Sequence, residues 1–115
     1  MSVSIMLSET NIAANANAQL PAVTNSPFNP VERTSRINVY AVSSITQGVA
    51  YSLQIGGAAH GEANAFLNAG LTLSTRDNLI LSGIALRGQK IGLNRRELTA
   101  VATTDTEAMM VIEPL

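Results

Sequence analysis

The sequence predicts an all-β protein, an antiparallel β-sandwich of the jelly-roll kind with an extended N-terminal arm. From Ser35 onward, apolar residues recur at every second position, the pattern of half-buried antiparallel strands. Turn residues separate these stretches at intervals of about ten residues, as in sandwiches and small barrels. The first 34 residues have a different composition. We therefore expect an arm over residues 1–34 and a sandwich domain over 35–115.

The predicted arm has no charged residue from Thr10 to Val31 and has three prolines within ten residues. Prolines favour extended backbone in the residues around them. Such an arm either lies on its own domain, where it can add an edge strand, or reaches a neighbouring subunit. We favour the neighbouring subunit. The residues expected at that interface are Val3, Ile5, Leu7, Leu20, Phe28 and Val31.

The predicted strands of the domain begin with two clear alternations, one around Val39 and one over residues 49–55. Turns are expected at Gly56-Gly57, at residues 76–78 and at Gly88, where a hairpin would join Leu86 to Ile91. Residues 62–70 are expected to form a single turn or a loop. The remaining alternating pairs are Leu71/Leu73, Leu79/Leu81, Ile84/Leu86, Ile91/Leu93, Thr99/Val101 and Met109/Val111.

The composition argues for a protein that contacts other subunits. Charged residues make up 13% of the chain, against about 25% in a typical soluble domain. Charge depletion is typical of interface cores, although a neutral monomer with an uncharged polar surface has the same composition. The absence of cysteine excludes disulfides and thiolate chemistry. Apolar runs are far shorter than the ~20 residues that span a bilayer, and no secretory signal is recognisable.

The residues that chemistry would need are sparse, so we predict a non-enzymatic protein without cofactor or metal. His60 is the single histidine, and only Glu62 stands near it as an orienting group for a general base. A solvated loop histidine is the favoured interpretation. Asp105 and Glu107 could at most bind a divalent cation weakly at a turn, and a solvated hairpin is the favoured interpretation.

One basic cluster combines Arg87, Lys90, Arg95 and Arg96 within ten positions. Such a cluster could contact phosphate, as on the inner face of a nucleic-acid container. No aromatic residue interleaves with it to stack on bases. We therefore favour ion pairing between subunits, with acidic residues such as Asp105 or Glu107, over contact with nucleic acid.

Four stretches give the chain its resemblance to a known class: the Ala/Asn/Pro-rich arm through Pro30, Arg36-Ile-Asn-Val-Tyr-Ala-Val, Leu86-Arg-Gly-Gln-Lys-Ile-Gly-Leu-Asn-Arg, and the terminal Ile112-Glu-Pro-Leu. In these it resembles small phage virion proteins of the minor coat, cement or decoration type. The resemblance implies a capsid assembly or stabilisation role as a homo-oligomer. The implied partners are the chain itself or a major capsid protein, in a virion made in the host cytoplasm, without membrane or small-molecule substrate.

The alternative is a soluble β-sandwich module that binds a carbohydrate or a protein ligand. Carbohydrate sites usually use exposed aromatic platforms, and the chain has no tryptophan. Its two tyrosines, Tyr40 and Tyr51, both fall inside predicted strands. A third hypothesis, an enzyme that uses His60, is the least favoured.

Overall fold

The computed structural model describes residues 2–46, 48–99 and 104–115, and it confirms the all-β sandwich. Two sheets pack face to face around one core, and the described part contains a single short helix. The elements are β1 (Val3–Ile12), β2 (Asn17–Gln19), α1 (Pro21–Thr24), β3 (Ser35–Ser43), β4 (Val49–Ile55), β5 (Ala58–Asn64), β6 (Phe66–Leu67), β7 (Leu79–Ala85), β8 (Ile91–Glu97) and β9 (Thr104–Pro114).

Sheet A has the order β1-β9-β3, and both β7 and β6 pair with the far side of β3. Sheet B has the order β2-β8-β4-β5. The strand pairs are antiparallel except for the short pairing of β6 with β3. The chain therefore alternates repeatedly between the two sheets.

The core forms where the inward residues of the two sheets meet. Ile37 and Val39 of β3 are fully buried, as are Leu53 of β4 and Leu93 of β8. Their neighbours along each strand point outward, because successive side chains of a strand lie on opposite faces. The period of two that predicted these strands is thus the consequence of burial on one face.

The first 34 residues are part of the sandwich, which corrects the predicted division into arm and domain. β1 pairs with β9 over Val3–Glu9, and β2 pairs with β8. Farther along, the backbone of Val31 exchanges hydrogen bonds with Gln89 and Gly88. Of the two placements considered for this segment, the structure shows the one on its own domain. The physical reason is that its scattered apolar residues complete the core between the sheet edges.

The residues expected to contact another subunit are therefore mostly engaged within the chain. Leu7, Leu20 and Val31 are only 7%, 5% and 3% exposed, so they are not available to a partner. Val3 and Ile5 are half-buried against the same core. Phe28 is exposed at 44% and stays compatible with an interface.

Several local expectations also need correction. The turn at Gly88 does not close a hairpin, because β7 lies in sheet A and β8 in sheet B. Leu71 and Leu73 lie outside any strand. Within residues 62–70, where a turn or a loop was expected, residues 62–64 complete β5 and residues 66–67 form β6. The predicted hairpin at Gly56-Gly57 is confirmed between β4 and β5. Of the pair Thr99/Val101, Val101 lies outside the described residues.

No helix in the described part of the chain has the length and apolar character needed to cross a bilayer.

Candidate ligand-binding face

The outer face of sheet B carries a layer of amide and hydroxyl side chains with one ion pair at its end. They come from the outward positions of its four strands, opposite the inward residues that fill the core. Asn94 donates to Asn17 Oδ1 at 2.6 Å, which links the outward side chains of β8 and β2. We call this surface the amide face and define it by Asn17, Gln19, Ser52, Gln54, Glu62, Asn94 and Arg96.

Gly92 forms a gap in the amide face that two glutamines span. β2 and β4 lie on either side of β8, about 9.5 Å apart, with Gln19 aligned with Asn94 and Gln54 aligned with Gly92. Gln19 Nε2 nevertheless donates to Gln54 Oε1 at 3.2 Å, above Gly92. A Cβ at position 92 would lie 2.8 Å from Gln19 Nε2 and 3.0 Å from Gln54 Oε1. Only glycine at this position leaves room for the amide pair.

A shallow groove of about 470 Å³ lies over this gap. Gln19 and Gln54 form its floor with Gly92, and Lys90 stands at its wall as an exposed cation. The amide pair leaves Gln19 Oε1 as an acceptor and Gln54 Nε2 as a donor, and neither has a partner among the described residues. The groove therefore presents a donor and an acceptor side by side.

Asn29 holds one wall of the groove in place. Its side-chain amide donates to the carbonyls of Val23, Thr24 and Ile91, and its Oδ1 accepts from the Ile91 amide at 2.9 Å. The loop that follows α1 is thereby fixed to the start of β8. This wall is consequently preformed.

An ion pair closes the other end of the amide face. Arg96 of β8 reaches across β4 to the carboxylate of Glu62 on β5, which also accepts from the Ser52 hydroxyl at 3.2 Å. The hydrogen bond from Arg96 lowers the pKa of Glu62, and the carboxylate in turn raises the pKa of Arg96. Both groups are thus charged at neutral pH and neutralise one another.

Behind the face, a second set of polar groups is buried between the sheets. The Arg95 guanidinium donates to both carboxylate oxygens of Glu9, at 2.9 and 2.7 Å, and to the Ala16 carbonyl. The bond to Glu9 raises the pKa of Arg95 in spite of its burial. This pair ties β1 of sheet A to β8 of sheet B.

Glu97, 2% exposed, accepts hydrogen bonds from the Thr99 and Thr104 hydroxyls and from the Asn15 amide. Burial alone would raise the pKa of this carboxyl, but these donors outweigh burial and lower it. Nearby, Tyr51 is bonded to Thr106, and burial raises its pKa far above the ordinary value. These groups hold the sandwich together and are not accessible to a ligand.

The structure does not bring the basic cluster together. Arg95 points into the core and Arg96 out of it, because neighbours on a strand lie on opposite faces. Their partners are Glu9 and Glu62 of the same chain, which corrects the expected pairing between subunits for these two residues. Arg87 and Lys90 are exposed near the turn between β7 and β8. For these two residues, ion pairing between subunits stays the prediction, with contact to nucleic acid as the less favoured alternative.

His60 is exposed on β5, and the carboxylate of Glu62 is directed to Arg96 and Ser52. The described residues therefore contain no orienting pair for a general base. Asp105 accepts from the Asn11 amide, which gives it a structural role at the end of β1. Within the described ranges, no three His, Cys, Asp or Glu residues gather as metal ligands would.

Tyr40 and Tyr51, which both fall in strands, have opposite environments. Tyr51 is 1% exposed, whereas Tyr40 lies half-buried on the outer face of sheet A, between Met109 and Leu79 of the adjoining strands. Tyr40 could thus serve as an aromatic platform on the opposite side from the amide face. A test of ligand binding must separate the two faces.

The sequence-based reasoning missed the glutamines and asparagines of the amide face. One signal was present: the outward positions of β4 and β8 carry Ser52, Gln54 and Asn94, where a solvent-exposed strand more often carries charge. β2 carried a similar signal, because Asn17, Ala18 and Gln19 alternate between polar and apolar, but the segment was interpreted as part of an arm.

No protein-family model and no curated protein sequence matches the chain. Among solved structures, it is similar to a carbohydrate-binding module CBM36 in complex with calcium and xylotriose, at 17% identity over 96% of this chain and 97% of the other, with a TM-score of 0.39. It is also similar to the CBM36-1 domain of a multidomain xylanase from the hindgut metagenome of Trinervitermes trinervoides, at 12% identity, 100% and 98% coverage and a TM-score of 0.44. A third similar structure is a protein of Bacillus endospore appendages, described as disulfide-linked pili, at 15% identity, 100% and 88% coverage and a TM-score of 0.41.

Proposed function

We propose that the protein is a non-catalytic binding module whose ligand, a carbohydrate chain, lies across the amide face. The observation that carries this proposal is the pair of glutamine side chains above Gly92. A sugar hydroxyl both donates and accepts a hydrogen bond, so vicinal hydroxyls match the neighbouring acceptor of Gln19 and donor of Gln54.

The charge of the face supports a neutral ligand. The carboxylate and guanidinium at its end neutralise each other, and of the residues that line the groove only Lys90 is charged. A nucleic acid or an acidic polymer would need several free cations. A neutral polyhydroxylated chain needs none.

The shape of the groove supports an extended ligand. It is open to solvent above the sheet and lies between a wall fixed by Asn29 and the turn at Gly57. No aromatic residue belongs to its lining, so binding would depend on hydrogen bonds of about 0.5–1.5 kcal/mol each. We expect a Kd of about 0.1–1 mM for a short oligosaccharide.

A glycan array tests the proposal. The full-length protein, biotinylated and clustered on streptavidin, gains avidity that compensates for weak single-site binding. We expect the wild type to bind a set of neutral glycans and Gln54→Ala to reduce the signal at least about fivefold. Tyr40→Ala is the matched control on the opposite sheet and should retain the signal.

Two results would contradict the proposal. One is the absence of any bound glycan. The other is a signal lost in Tyr40→Ala and retained in Gln54→Ala, which would move the site to the outer face of sheet A.

The role in a virion stays a prediction from the sequence. Besides the resemblance and the low charge, it was supported by an arm expected to reach a neighbouring subunit, and that segment lies on its own domain. The binding-module alternative has a preformed polar groove in its favour and is the better supported of the two.

A further inference from the structure

The free edge of β1 is a long backbone surface without a partner. Val3–Ser8 pairs with β9 on one side and has no other backbone hydrogen-bond partner among the described residues. α1 contacts β1 but takes none of these backbone groups. Unpaired N–H and C=O groups in an extended row are a template for another strand.

The other sheet edges in the described structure are interrupted. β2 and β6 have three and two residues. The pairing of β5 with β4 contains a register shift near Gly61, which has a φ of 95°, and β7 has a register shift against β3. In β1 the register is continuous from Val3 to Glu9, and the irregularity comes only after Glu9. β1 is thus the edge without the usual protection.

The charge pattern of β1 permits pairing with itself. Val3–Ser8 contains no charged residue and no proline. Glu9, the one acidic residue of the strand, is engaged by Arg95 inside the sandwich. Two copies of this strand can therefore approach without electrostatic repulsion. Natural sheet edges commonly carry charged side chains that prevent such contact.

We propose that the edge of β1 binds the same edge of a second copy, antiparallel about a two-fold axis at Met6. Residues that lie opposite each other in a continuous sheet have their side chains on the same face, and a two-fold axis at Met6 gives this alignment. It places Ser4 opposite Ser8 and Ile5 opposite Leu7. Met6, 55% exposed, lies opposite its own copy.

This register extends an apolar row that already crosses sheet A. Met6 is aligned with Met109, Met109 with Tyr40, and Tyr40 with Leu79. The two-fold continues the row into the second copy, so cross-strand side-chain contact adds to the backbone hydrogen bonds. The interface uses neither the amide face nor its ligand and leaves two grooves on one dimer.

The mass in solution and two lysine variants test the interface. We expect the wild type to sediment at twice the 12.1 kDa of one chain as concentration rises. Met6→Lys places two ammonium groups against each other at the axis and should raise the dimer dissociation constant about tenfold or more. Leu79→Lys is the control and adds the same charge at the far end of the row. It would weaken a dimer formed by stacking of the outer faces of sheet A, but it should leave the dissociation constant of a dimer formed at the β1 edge unchanged.

A cysteine variant locates the axis. The chain has no cysteine, so Met6→Cys introduces a single thiol. Cα atoms opposite each other in an antiparallel pair lie about 4.5–5.5 Å apart, within the range that a disulfide spans. We expect rapid intermolecular crosslinking on mild oxidation, and slow crosslinking of the exposed control Ser82→Cys.

Three results would overturn the proposal. The first is a wild type that stays monomeric up to near-millimolar concentration. The second is a dimer that Met6→Lys leaves intact, or one that Met6→Lys and Leu79→Lys weaken equally. The third is an equal crosslinking rate for Met6→Cys and Ser82→Cys.

Discussion

Replacing Gly92 with alanine isolates the amide pair from the rest of the fold. The new methyl group would lie 2.8 Å from Gln19 Nε2 and 3.0 Å from Gln54 Oε1, so both amides must move away. They are the ends of flexible side chains and can do so without distorting the sheet. Two lost ligand contacts of about 0.5–1.5 kcal/mol each correspond to a Kd raised about 5- to 150-fold.

Stability should hardly change in the same variant. Alanine is favoured over glycine in a strand by about 0.5–1 kcal/mol, and this offsets the lost hydrogen bond between Gln19 and Gln54. Binding to an oligosaccharide identified on the array is measured by calorimetry, and the free energy of unfolding by urea denaturation.

Gly70→Ala is the matched control for this change. A Cβ at Gly70 meets its nearest atoms only at 3.5 Å, and the residue lies in an exposed loop away from the amide face. It should alter neither binding nor stability appreciably. Unchanged affinity in Gly92→Ala would refute the assignment of the groove as the ligand site.

Three further predictions concern the buried polar groups and the first segment. Because folding lowers the pKa of Glu97, its carboxylate stabilises the fold above the ordinary pKa of 4.5, and this stabilisation is lost as the pH falls through the lower folded-state pKa. The free energy of unfolding, measured by urea denaturation, should therefore fall less between about pH 7 and pH 3 in Glu97→Gln than in the wild type. Arg95→Ala leaves Glu9 without its partner and should cost about 3–5 kcal/mol, whereas Arg36→Ala at an exposed pair should cost less than about 1 kcal/mol in the same assay; similar costs would contradict the structural role of the buried pair. Deletion of residues 1–31 removes core side chains and should abolish cooperative thermal unfolding, and a deletion variant that unfolds cooperatively would separate the segment from the domain.

The sheets were predictable where burial imposes a simple period. β3 and β4 alternate because one face of each meets the core, and this pattern is visible in the sequence without any knowledge of partners. The first segment was not, because its buried residues Ile12, Leu20 and Val23 are spaced irregularly by turns and a short helix. Its prolines and asparagines suggest a free arm as readily as a chain that winds around the sandwich.

The candidate site was less accessible to prediction because its parts meet only through sheet topology. Gln19 and Gln54 are 35 positions apart, and β8 lies between them. Gly92 matters because Gln19 and Gln54 meet above it, and this contact is not visible in the sequence. By contrast, the separation of Arg95 from Arg96 follows directly from strand alternation and could have been predicted.

The location of the ligand is tested most directly by a nuclear magnetic resonance titration of the full-length protein with the oligosaccharide that binds best. We predict that the side-chain NH₂ signals of Gln19 and Gln54 and the backbone amide of Gly92 shift together, while the signals of Met6 and Tyr40 on sheet A stay in place. Shifts confined to sheet A, or none at ligand concentrations well above 1 mM, would contradict the account.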